Sequence, residues 1–145
     1  MQIALKAPSE NNVSRLERAA CNYTKALPET PYRAVGLNYI WMVRAEAQED
    51  VSKILKELFL ADAGRIKESL GVEEYQAGGI LVFGEEPFRV RLVIERSAQS
   101  EADILCNFNY HANVRNFHET FEAIAAFQRK SEDSKRIISR LFKSA

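Results

Sequence analysis

Leu27-Pro28-Glu29-Thr30-Pro31-Tyr32-Arg33-Ala34-Val35-Gly36-Leu37-Asn38-Tyr39-Ile40-Trp41-Met42-Val43 decides the fold. It holds two of the four prolines, the only tryptophan and the unbroken apolar run Tyr39–Val43. Successive strand side chains point to opposite faces. Val35, Leu37, Tyr39, Trp41 and Val43 share one parity and predict a core-facing side. Ala34, Gly36, Asn38, Ile40 and Met42 share the other, which is small or mixed. Apolar residues on both sides predict a strand interior to its sheet. Gly36 is expected to mark a bulge or a close approach. Pro28 and Pro31 lack an N–H donor and end a preceding helix.

Upstream, Gln2–Lys6 predicts a short strand that Pro8 ends. A helix is expected to start at Asn11 or Asn12, either of which can cap it. Its buried stripe would be Val13, Leu16, Ala20, Tyr23 and Leu27, with Arg15, Glu17, Arg18 and Lys25 off it. The order strand, helix, strand predicts a βαβ start with the two strands parallel. Downstream, Asp50 is a good N-cap for a helix burying Val51, Ile54, Leu55, Leu58 and Phe59. A further helical piece runs towards Gly71, its C-terminal glycine.

Ile80–Phe83 and Phe88–Arg96 predict two strands joined by a loop at Gly84-Glu85-Glu86-Pro87. In the second, Val90, Leu92 and Ile94 point one way while Arg89, Arg91 and Glu95 point the other. Asp103–His111 is the last strand, with Ile104, Cys106, Phe108 and Tyr110 inward and Asn107, Asn109 and His111 outward. Asn116 and Glu119 predict an N-cap with its capping-box partner. Phe117, Phe121, Ile124 and Phe127 continue as a helical stripe. Gln128–Lys135 is almost wholly polar before Ile138, Leu141 and Phe142 restore an apolar face. Either the last helix is continuous and projects past the core, or it breaks near Ser131. The expected fold is α+β: a single domain, a mainly antiparallel sheet of four to five strands, helices on one face and a long C-terminal helix.

A chain of 145 residues is expected to form one domain, and its 46% hydrophobic content suffices for a core. Twenty Lys and Arg balance twenty Asp and Glu. That balance gives no electrostatic pull towards nucleic acid or anionic membrane, and it removes one barrier to self-association. Two cysteines, Cys21 and Cys106, are too few for a secreted disulfide framework. No basic region followed by an apolar run opens the chain, and no apolar stretch reaches the roughly 20 residues that span a bilayer. A cytoplasmic protein is expected.

Signatures of chemistry are sparse. Gly78-Gly79 and Gly84 match no phosphate-binding spacing. Neither cysteine has a local nucleophile signature, and both are expected to be buried. His111, His118 and Glu119 lie close enough in sequence to approach one another, without a trusted metal spacing. Glu73-Glu74, Glu85-Glu86 and Glu49-Asp50 read as loops and caps. No cofactor and no catalytic residue is expected. Asn is depleted in strands, so the outward set Asn38, Arg89, Arg91, Glu95, Asn107 and Asn109 stands out as a candidate interaction surface. The aromatic residues have core parity, which disfavours RNA stacking on that sheet. Two functions follow. The first is a non-catalytic binding or assembly module that self-associates, as a homodimer, or binds another protein. The alternative is a small-molecule sensor or enzyme with a pocket rimmed by Tyr32, Arg33, His111, His118 and Glu119.

The segment Leu27-Pro28-Glu29-Thr30-Pro31, followed by Ala34-Val35-Gly36-Leu37-Asn38-Tyr39, resembles one found in a group of uncharacterised bacterial proteins. There an LP-x-TP turn leads into an A-x-G-x-N-aromatic strand. The resemblance covers about a tenth of the chain and implies a bacterial origin. It carries over no catalytic residue, and Gly36 and Asn38 match its pattern.

Overall fold

A computed structural model describes residues 10–46 and 50–142. The elements are α1 (Glu10–Ala26), β1 (Ala34–Arg44), α2 (Val51–Phe59), α3 (Ala63–Leu70), β2 (Gly79–Glu85), β3 (Phe88–Arg96), β4 (Asp103–Asn113), α4 (Phe117–Ala125) and α5 (Phe127–Leu141). The fold is α+β, with an antiparallel four-stranded sheet in the order β1-β4-β3-β2 and a C-terminal helix. The strand expected at Gln2–Lys6, and its parallel pairing, lie outside the described residues.

Among the described residues β1 is not the interior strand its composition predicts. It is an edge there, and β4 and β3 are interior. Val35, Leu37 and Tyr39 are buried as expected, whereas Ile40 is 65% exposed and Met42 47%. The apolar residues that suggested two covered faces therefore lie on an open one. Gly36 marks no close approach: a side chain there would meet only the Asn38 amide, at 4.0 Å.

The contacts divide the chain into two compact units. The first comprises the residues up to Tyr39, Phe83–Val90 and those from Asn109 onward. The second comprises Ile40–Val82 and Arg91–Phe108.

In the first unit, α1 packs against α4 and α5. The buried face of α1 is turned from the expected stripe towards Cys21 and Thr24, while Tyr23 and Leu27 are exposed. Thr24 meets its hydroxyl's need locally by donating to the Ala20 carbonyl at 2.9 Å, so it can be buried at little cost. The helix already includes Asn11 and Asn12, so neither is its cap. Asn116 caps α4 as expected, accepting from the Glu119 N–H at 2.9 Å. The Glu119 carboxylate does not return to Asn116; it accepts from the Arg115 N–H at 2.8 Å.

The final helical stretch breaks at Ala126, between α4 and α5, rather than near Ser131. Tyr39 fixes that junction by donating its hydroxyl to the Phe127 carbonyl at 2.6 Å. Its ring also stacks 5.0 Å from Phe127 and meets Tyr110 edge-on at 5.7 Å. Ala126 offers α5 no side-chain cap. Glu17 of α1 supplies one instead, accepting from the Gln128 N–H at 2.9 Å. The polar run after Phe127 does not project as a bare tail: Lys130 and Ser134 are buried.

In the second unit, Asp50 caps α2 by accepting from the Ser52 N–H at 2.8 Å. Val51 and Leu55 are the buried residues of that helix. Gly71 ends α3 at φ 64°, a left-handed conformation that favours glycine. Gly79 lets the Phe59 ring lie directly on β2, since a Cβ there would overlap the ring. Leu92, Ile94, Ile104, Cys106 and Phe108 form the core of this unit, each essentially inaccessible to solvent. The alternation read from β3 and β4 holds along β3 and from Ile104 onward in β4, where the neighbouring Asp103 is buried as well.

Candidate functional site

The six residues expected as one interaction surface fall into three settings. Asn38 and Asn109, in the first unit, face each other across β1 and β4, the Asn109 amide donating to the Asn38 carbonyl oxygen at 2.5 Å. Asn109 is half-buried and Asn38 is exposed. One cross-strand hydrogen bond thus gives each asparagine a partner in its strand. Arg89 lines a concavity in the same unit. Arg91, Glu95 and Asn107 belong to the second unit, on the outer sheet face opposite its core.

That outer face can be built strand by strand. The Ala45 N–H donates to the Ala102 carbonyl at 2.9 Å and sets the β1–β4 register. Arg44 and Asp103 form the adjacent cross-strand pair, with Nε and Nη2 donating to the two carboxylate oxygens at 2.9 and 3.3 Å. The guanidinium hydrogen bonds hold the Asp103 carboxyl below its usual range. The Ser97 N–H donates to the Asp103 carbonyl at 2.9 Å and sets the β3–β4 register. Gly78 abuts the Ile94 carbonyl and Glu95, which sets β2 beside β3.

These registers place Ile40, Asn107, Val93 and Ile80 in one row across the four strands. Arg91 and Glu95 flank that row on β3, and Met42, Leu105 and Val82 complete the face. Ile80 is 56% exposed and Val82 53%, matching Ile40 and Met42 on the opposite strand. Val93 and Leu105 between them are half-buried. Sequence reasoning put Arg91, Glu95 and Asn107 here and expected a polar face. It missed that aliphatic residues outnumber them. The parity of Ile40, Met42 and Val93 carries the signal, but in sequence Ile40 and Met42 have the same pattern as a second buried face of an interior strand.

The concavity of the first unit has a volume of about 1160 Å³ and is lined in part by Arg89, His111, Arg115, Glu119, Glu122 and Arg129. It brings together His111 and Glu119 from the expected rim. The other three rim residues do not line it. The Tyr32 hydroxyl donates to the Leu27 carbonyl at 3.3 Å, and the Arg33 carbonyl accepts from the Val114 N–H at 3.0 Å. His118 points to Glu122, 3.2 Å away, and is open to solvent. Glu119 is clasped by the Arg115 guanidinium, with Nη2 2.7 Å from one oxygen, which keeps its carboxyl below the ordinary range. Two of the three carboxylates lining the concavity are thereby engaged by neighbouring side chains.

Both cysteines are free and buried. Burial pushes the Cys106 thiol up to about 12, and it raises Cys21 as well. Neither forms a thiolate at neutral pH, so neither is an activated nucleophile. Among the described residues no cluster of His, Cys, Asp and Glu is placed to hold a metal ion, and no helix is long and apolar enough to cross a membrane. No family model matches the chain, and no match was found among curated proteins or solved structures.

Proposed function

We propose that this chain is a non-catalytic assembly module that works by docking the outer sheet face of its second unit onto another protein surface. The single observation that carries this reading is the aliphatic face formed by Ile40, Met42, Ile80 and Val82, exposed across both outer strands. Exposed aliphatic residues grouped on one face of a folded protein mark interaction sites. A central strip of Arg91, Glu95 and Asn107 supplies polar groups that can fix the register of a partner. The two buried, protonated cysteines fit a role without chemistry at sulfur. A cytoplasmic setting, where free thiols persist, belongs to this reading, and so does the bacterial origin suggested by the Leu27–Tyr39 segment.

A photo-crosslinking amino acid placed at Ile40 or Val82 tests it in cells producing the protein. Covalent adducts are expected from both positions and not from the exposed Glu132 on α5. Adducts from Glu132 alone, or from none of the three, would defeat the reading.

A further inference from the structure

The reading of the outer face as a docking surface leaves its occupant open, and the inference here rests on that reading. We infer that the occupant is a second copy of this chain, packed face to face about a two-fold axis running along the Ile40–Asn107–Val93–Ile80 row.

The placement of charge on β3 carries the argument. Arg91 and Glu95 lie on the same face, two residues before and two after Val93. Four residues of strand separate them by roughly 13 Å, too far to pair within one chain. Among the described residues neither has an ion-pair partner. A two-fold axis across the strands at Val93 exchanges their positions, so Arg91 meets Glu95 of the partner subunit and the reverse pair forms as well. The same operation sets Ile40 and Ile80 against their own counterparts. It also sets Asn107 against its counterpart, and an amide carries both a donor and an acceptor for such a contact. An interface of this isologous kind must be self-complementary, and this face is.

The competing arrangement, with the axis along the strands, fails on the same residues. It would place Arg91 over β4 of the second copy, whose one outward carboxylate, Asp103, is already held by Arg44. A guanidinium buried there would be unpaired and costly. Two sheets packed face to face sit about 10 Å apart, close enough for the aliphatic rows to interdigitate. The balance of twenty basic against twenty acidic side chains means that no net charge keeps the copies apart.

Sedimentation velocity over a concentration series on the full chain, with R91E, E95R and their equimolar mixture, tests the inference. The wild type is expected to form a dimer, and each single variant to dimerise at least about tenfold more weakly because like charges then face each other. The mixture restores both opposite-charge contacts and is expected to recover wild-type affinity as a heterodimer. Both side chains are exposed, so circular dichroism should report unchanged folding in each variant. A wild-type dimer that survives either single substitution, or a mixture that stays dissociated, overturns the inference. A wild-type monomer overturns it too. If that monomer still forms adducts of a different mass from Val82, only the second copy is wrong and the docking face stands. If it forms none, both fall.

Discussion

Lys130 holds its ammonium group against Glu85 and Asp133 with only 4% of its side chain accessible. It also lies 5.8 Å from the ring centres of Phe88 and Tyr110, whose faces favour a desolvated cation. A buried cation is tolerated only when its partners are in place, and removing one side strands the others. The long methylene stem adds apolar cover to the aromatic cluster beneath it. Lys130→Ala should therefore cost roughly 3 kcal/mol by urea unfolding, the range expected for breaking a buried pair. Glu85→Gln should cost less, because Glu85 keeps 38% of its side chain in water. No loss in Glu85→Gln beside a full loss in Lys130→Ala would mean that Lys130 acts through packing and Asp133 without help from Glu85. Lys130 was not legible as a buried residue: a lysine in the run Gln128–Lys135 has the pattern of a solvated face, and only the tertiary position of Glu85 reverses that.

Elements whose local chemistry is self-sufficient were the most legible ones. Asp50 before α2, Gly71 after α3 and the alternation along β3 and along β4 from Ile104 each specify their element through neighbours in sequence. Elements fixed by distant partners were not. The break at Ala126 has no proline or glycine to announce it. It depends on Tyr39 and Glu17, both far away in the chain. The edge position of β1 was hidden for a related reason, since an exposed aliphatic face and a second buried face have the same pattern in sequence. Glu17 gives this scale its own prediction. Its carboxylate meets one of the unsatisfied N–H groups that open every helix. Glu17→Ala should speed hydrogen exchange at the Gln128 amide and through the first turn of α5, leaving the amides of α4 unchanged. Unchanged protection at Gln128 would show that the cap is dispensable.

At the scale of the whole molecule, the expected site was legible by residue type but not by arrangement. Asn38, Asn109, Arg89, Arg91, Glu95 and Asn107 were singled out as outward and polar, and all are on the outer side of their strands. Their division into an amide pair, a concavity residue and the charged strip of an aliphatic face depends on pairing register and on the two compact units, which strand parity cannot supply.

The free thiols allow those two units to be followed separately. Cys21 lies in the first unit and Cys106 in the second. Each is buried and protonated at neutral pH, so an alkylating reagent reaches a sulfur only when the surrounding structure opens. The chain thus carries one native reporter in each half, with no label to engineer. Mass spectrometry of chain alkylated at increasing urea counts and locates the modified sulfurs. Both thiols becoming reactive at one urea concentration would identify a single cooperative unit of unfolding. Modification of one before the other would identify two, and name the half that opens first.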